Sequence, residues 1–217
     1  MATVDRILDV AELRMRRSGY HAVSFRDLAT EIGIKSASVH YHFPQKADLG
    51  RALVARYAER FLQSLDAALA VEPGSGHPGG AHLDPRHPDP TYNLRAARLN
   101  PRRAGVLRRV YFAALIAGEA PCLCGVLGGE AGGLPPELGA QITAFFERQA
   151  HWLNHSHSGA APRADLNQAR AWVALLQGAM LLASASREPQ QFRAIVDSVA
   201  DSFTATAAPS DTHRPSA

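Results

Sequence analysis

Apolar residues recur at spacings of three and four along most of this chain, and the runs are separated by glycine, proline or a residue suited to capping a helix. Residues 4–18 place Val4, Ile7, Leu8, Ala11 and Met15 on one face, with Thr3 expected as N-cap and Gly19 as the left-handed stop. Ser24 starts a second, short helix over 25–32, with Phe25, Leu28, Ala29 and Ile32 turned to a core, and Gly33 ends it. A third follows at once over 36–42. Phe43-Pro44 closes it, since a residue before proline avoids the helical region. From Gln45 to about Val71, Leu49, Leu53, Tyr57, Phe61, Leu65 and Leu69 predict one long amphipathic helix.

Residues 72–89 break this pattern. They are rich in Gly, Pro and His, lack periodicity, and read as a mobile loop. A short helical segment is expected from Tyr92, then firm helices over 103–118, 122–131, 136–155, 166–186 and 190–206; 207–217 read as a disordered tail. No segment alternates with the period of a strand. The predicted fold is all-α with about nine helices. Its organisation is a homeodomain-like helix-turn-helix over 1–50 and a helical sensing and dimerisation domain over 51–206.

Charge sharpens the picture at one end only. Residues 1–60 hold ten Lys/Arg against seven Asp/Glu, the whole of the +3 net charge, and the remainder holds thirteen of each. A basic N-terminal third suits a partner with phosphates, but a solvated basic face would look the same. The stretch Gly178 to Ala185 falls far short of the roughly 20 apolar residues that cross a bilayer, and Asp5, Asp9 and Glu12 interrupt any signal peptide. Two cysteines spaced Cys122-Leu123-Cys124 form no disulfide framework. The expectation is a cytoplasmic protein with no membrane partner and no cofactor. With no phosphate loop, nucleophile elbow or metal-hydrolase pattern, it is not expected to be an enzyme.

Three short helices with a tight turn at Gly33 make a helix-turn-helix pattern. A major groove about 12 Å wide admits one helix while its predecessor braces it across the backbone. The exposed side of the third helix is read as Lys35, Ser36, Ala37, Ser38, His40, Tyr41 and His42. Small residues at its start allow close approach to base edges, and Lys46 adds a cation at the start of the fourth helix.

The runs Ser24-Phe25-Arg26-Asp27-Leu28-Ala29 and Gly33-Ile34-Lys35-Ser36-Ala37-Ser38-Val39-His40-Tyr41-His42-Phe43-Pro44-Gln45-Lys46-Ala47-Asp48-Leu49, with Gly19-Tyr20 before them, resemble the DNA-binding domain of the TetR/AcrR family of transcriptional regulators. The likeness is specific over about residues 4–55. It implies a homodimeric repressor on a palindromic double-stranded operator, released by a small molecule. It also implies that Ser24 and Arg26 touch phosphate, that Ser36, Ala37, Ser38 and His40 face the groove, and that Tyr41, His42 and Lys46 grip the backbone. His40 departs from the family, which more often has tyrosine there. Pairing through the last two helices would use the stripes Val173, Leu176, Ala179, Met180, Ala183 and Phe192, Ile195, Val196, Val199, Phe203, with small residues Ala174, Gly178 and Ala185 allowing close approach. Those stripes would serve a monomer core equally well.

Tyr111, Phe112, Leu115, Phe145, Trp152, Trp172 and Leu176 are candidate walls of a ligand pocket, though aromatic stripes at helical spacing also build cores. Cys122-Leu123-Cys124-Gly125-Val126-Leu127 resembles a cysteine segment of some sensors in the family. A thiol beginning a helix after Pro121 is expected to have a lowered pKa, making Cys122 and then Cys124 candidates for an electrophile or oxidant trigger. Two buried structural cysteines are the plainer alternative. His151, His155 and His157 with the cysteines raise a metal-responsive repressor, and a helical protein-interaction module without DNA function is a further alternative.

Overall fold

The computed structural model describes residues 2–71, 99–117, 121–155 and 165–204. Among them are nine α-helices and no strand: α1 Thr3–Ser18, α2 Phe25–Ile32, α3 Ser36–His42, α4 Lys46–Val71, α5 Pro101–Ala117, α6 Leu123–Gly129, α7 Pro136–Asn154, α8 Leu166–Ser186 and α9 Pro189–Thr204, with a 3₁₀ turn at Ala131–Gly133. The expected loop at 72–89, the segment from Tyr92, His157 and the tail at 207–217 lie outside the described residues.

Helix boundaries follow local chemistry. Ser24 accepts a hydrogen bond from the Asp27 N–H (3.1 Å) and donates its hydroxyl to the Asp27 carboxylate (2.6 Å), so two groups of the first turn of α2 are satisfied by neighbours. Gly33 ends α2 in the left-handed region, φ 74° and ψ 39°, and this sharp turn sends α3 off at once. Thr3 is a correction: it is the first helical residue of α1, and Ala2 is the N-cap, without a side-chain bond. One residue of slippage at a helix end is ordinary. A stronger signal went unused at α5, where the Asn100 carboxamide accepts from the N–H groups of Arg102 (3.0 Å) and Arg103 (3.3 Å) and Pro101 occupies the first helical position.

α4 joins the N-terminal bundle to the rest. Its first half presents Leu49, Leu53 and Val54 to α1 and its neighbours, and its second half carries Tyr57, Phe61, Leu65 and Leu69 into the larger domain. One hydrophobic core runs through both. Buried Glu12 braces α1 to α4 by accepting from Arg60 (2.5 Å) and Arg56 (3.4 Å), while Asp9 also meets Arg56 (2.9 Å). In the larger domain, Arg102 and Arg103 of α5 donate to carbonyls at the ends of α4 and α7, Leu69 (2.7 Å) and Trp152 (2.8 Å). Each supplies a cation where the helix dipole is negative.

Candidate nucleic-acid interface

α3 lies on the surface by its own pattern. Val39 and the following Phe43 are buried and anchor it as it packs on α2, and the rest of the helix turns outward. Lys35, Ala37, His40 and Tyr41 are exposed, Tyr41 at 83%, and Ser36, Ser38 and His42 are half-buried. Thr3, Ile34, Lys35, Ala37, Ser38, Tyr41 and His42 line one open depression, so the N-terminal end of α1 flanks this helix. The His40 ring packs edge-on against Phe25 (4.8 Å between centroids), and Tyr41 stands edge-on to His42 (5.1 Å). Arg26 is exposed on α2.

Two of the expected contact residues have other partners. The Ser24 hydroxyl is engaged with Asp27, as above. The Lys46 ammonium lies over the Tyr20 ring (4.6 Å) and donates to the His21 carbonyl (3.2 Å). Burial lowers the Lys46 pKa and the nearby Glu130 carboxylate opposes that shift. Lys35 and Ala37, at the start of α3, and Arg26 of α2 are exposed on adjacent helices, an arrangement that can meet a phosphate backbone while α3 enters a groove.

The larger domain redistributes the other candidates. Tyr111, Phe145, Trp172 and Leu176 are buried core, and Phe112, Leu115 and Trp152 are half-buried against it. Tyr57, Phe61, Tyr111, Phe145 and Phe146 form a chain of ring contacts, 5.2 to 6.4 Å between centroids, linking α4, α5 and α7. The Tyr111 hydroxyl donates to the carboxamide oxygen of buried Gln149 (2.9 Å). Gln149 was invisible to pattern reading, because one polar residue on an apolar face looks like a surface position. Phe112 lies apart, in a surface groove of about 490 Å³ with Arg108, Arg109, Ala113, Ile116, Phe192, Arg193 and Asp197.

The cysteines overturn an expectation. Cys122 is the N-cap of α6, yet its pKa is raised: removal from water outweighs the opposing hydrogen bonds from Tyr57 and the backbone. Cys124 is buried too, and burial pushes its thiol well up. A seven-residue helix end does not offset full desolvation. His155 Nδ1 lies 3.2 Å from the His151 carbonyl at the end of α7, and among the described residues no group of three His, Cys, Asp or Glu is placed to hold a metal ion.

Much of the expected pairing stripes serves the monomer core. Val173, Leu176, Ala179, Met180 and Ala183 of α8 and Phe192 and Val196 of α9 are buried within the monomer, because α8 and α9 pack on each other and on α5 and α7. Of the expected residues, Val199 (37% exposed), Ala174 and Ala185 stay outside, and Leu181 (63%), Leu182 (54%) and Ala171, which were not among them, are exposed on α8 as well.

Residues 7–53 match the model of the bacterial regulatory proteins of the tetR family. The whole chain is similar in structure to a TetR transcriptional regulator from Legionella pneumophila, at 26% identity, TM-score 0.71, and coverage of 94% of this chain and 98% of that one. The N-terminal residues thus match the tetR family, and the chain as a whole has the fold of TetR-type regulators. A TetR-family regulator from Agrobacterium tumefaciens is similar over 93% of this chain and 97% of its own (23% identity, TM-score 0.69). The multidrug binding protein EbrR, complexed with malachite green, is similar over 94% and 99% (22% identity, TM-score 0.60). No curated protein matches in sequence. The TetR-type assignment accounts for the surface α3 and for the continuous α4; among the described residues, no helix is long and apolar enough to cross a membrane.

Proposed function

We propose that this chain is a TetR-family homodimeric repressor that binds a palindromic operator through α3 and leaves it when a small molecule enters the helical domain. The observation that carries this reading is the surface of α3: a helix anchored by Val39 and Phe43, with small residues at its start and Lys35, His40 and Tyr41 exposed. Ser36, Ala37 and Ser38 approach base edges, while Arg26, Lys35, Tyr41 and His42 meet phosphates. Lys46, held by Tyr20 and the His21 carbonyl, keeps donors for a phosphate at the start of α4. The domains are the helix-turn-helix over 1–50 and the sensing and dimerisation domain over 51–206.

The exposed residues Leu181, Leu182 and Val199 cover one another in a dimer whose two-fold axis presents both α3 helices to one face of the duplex. A ligand shifts DNA occupancy only as far as it prefers the released form. The ring cluster of Tyr57, Phe61, Tyr111 and Phe145 is where such a ligand would act on α4, which runs from there to Lys46. EbrR is a fold neighbour with a bound aromatic dye, which supports an aromatic compound as first choice. A covalent trigger at Cys122 is the second reading. It rests on the hydrogen bond between Cys122 and Tyr57 of α4, which an adduct on sulfur would break. Burial makes this route depend on prior opening of the domain.

The test is fluorescence anisotropy of the protein on duplexes recovered from a random-sequence pool, at several salt concentrations, with and without malachite green or a quinone. Tight binding that weakens steeply with salt supports the repressor reading, and a protein that recovers no duplex overturns it. Release by a quinone that persists in Cys122→Ser excludes the covalent trigger.

A further inference from the structure

α1 is a lever with its two ends engaged by different partners. Its N-terminal end, at Thr3, flanks α3. Just past its C-terminal end, Gly19 and Tyr20 meet Glu130, the residue that closes α6. One Glu130 carboxylate oxygen accepts from the Tyr20 N–H (3.0 Å), and the other lies 1.7 Å from where a Cβ on Gly19 would stand. Gly19 itself has φ 83°, which disfavours any side chain. Position 19 thus combines a turn and a socket for this carboxylate. Lys46, at the start of α4, stands over Tyr20. A second tie lies nearby, where Arg16 donates to the Pro121 carbonyl (2.6 Å). The segment from Pro121 to Glu130 is in turn held in the core by buried Leu123, Cys124 and Leu127.

We infer that Glu130 is a positioning residue that fixes the tilt of the DNA-binding head on the helical domain and thereby the half-site spacing a dimer accepts. The inference rests on the DNA-binding dimer proposed above. Its physical basis is leverage. Sixteen residues of α1 span about 24 Å, so a tilt of about 5° at the Gly19 end moves the α3 end by about 2 Å. In a two-fold dimer both heads move, and the two recognition helices change separation by up to twice that. The head's buried Ile7, Leu8, Ala11, Met15, Leu28 and Val39 are apolar and make no hydrogen bond to Glu130, so the head is expected to stay folded in the variants.

The experiment compares native protein, Glu130→Gln and Glu130→Ala on three probes: a duplex with one half-site from a selected palindrome, the palindrome, and palindromes with half-sites moved apart or together by one and two base pairs. Glu130→Ala is expected to bind the single half-site within twofold of native, to bind the palindrome about tenfold more weakly, and to lose discrimination between spacings. Glu130→Gln keeps an oxygen acceptor for the Tyr20 N–H and is expected to stay near native. Native spacing discrimination in Glu130→Ala overturns the inference. So does an equal loss on half-site and palindrome, which marks Glu130 as merely structural. If the native protein binds no duplex, the DNA-binding reading fails first and this inference with it.

Discussion

Replacing Lys35 by alanine gives a prediction whose size follows from charge and symmetry. Lys35 is exposed, with extended backbone (φ −76°, ψ 142°) immediately before α3. A dimer presents it twice, so the variant releases two fewer condensed counterions on binding. Each phosphate contact contributes about −0.9 to the slope of log K against log salt, so the slope becomes shallower by about 1.8. Between 50 and 200 mM salt, a fourfold range, native protein should lose about 12 times more affinity than the variant does. Anisotropy titrations at four salt concentrations on one selected duplex read this directly. Arg187→Gln, at the junction of α8 and α9 and remote in sequence from α3, serves as the charge-matched control and should leave the slope unchanged. A slope in Lys35→Ala equal to native refutes the placement of Lys35 on phosphate. A change of about half the expected size refutes engagement of both heads.

Tyr111→Phe leaves the buried Gln149 oxygen without its donor and is expected to cost about 1–3 kcal/mol in urea unfolding, much of it recovered by adding Gln149→Met; additive losses would refute the pairing. The thiols of Cys122 and Cys124 and the phenols of Tyr57 and Tyr111 all have raised pKa values through burial, so the folded chain retains protons that the unfolded chain releases. Their contribution to stability is complete below the unfolded thiol pKa, about 8.5, and is lost as pH rises above it. The urea midpoint should therefore fall between pH 7.5 and 9.5, less so in the double serine variant, and maleimide should label native protein slowly at pH 7; fast labelling refutes burial as the controlling factor. Leu182→Glu is expected to give a helical monomer in sedimentation, since an outward leucine contributes about 1.5–3 kcal/mol only when a partner covers it; an intact dimer refutes that face.

Most of the helical architecture was legible in the residues, because a helix core face repeats every three or four positions and its ends carry glycine, proline or a capping oxygen. Gly19, Ser24, Gly33 and Pro44 delimit the N-terminal bundle in this way, and the exposed side of α3 follows once Val39 is recognised as its anchor. These are short-range properties, decided within a few residues. What required tertiary structure was which of several apolar faces meets which neighbour. α8 is apolar nearly all round, so its sequence alone does not distinguish the buried Leu176, Ala179 and Met180 from the outward Leu181 and Leu182; packing against α7 and α9 does. The Cys122 thiol follows the same logic. Its place at a helix start pointed to an acidic thiol, but its pKa is set by the water removed around it, and only the packing of α1, α4 and α7 around α6 determines that. Glu130 lies 110 residues from the Tyr20 N–H it binds. No periodicity connects two such positions, and the chain must fold before the carboxylate finds its socket beside Gly19.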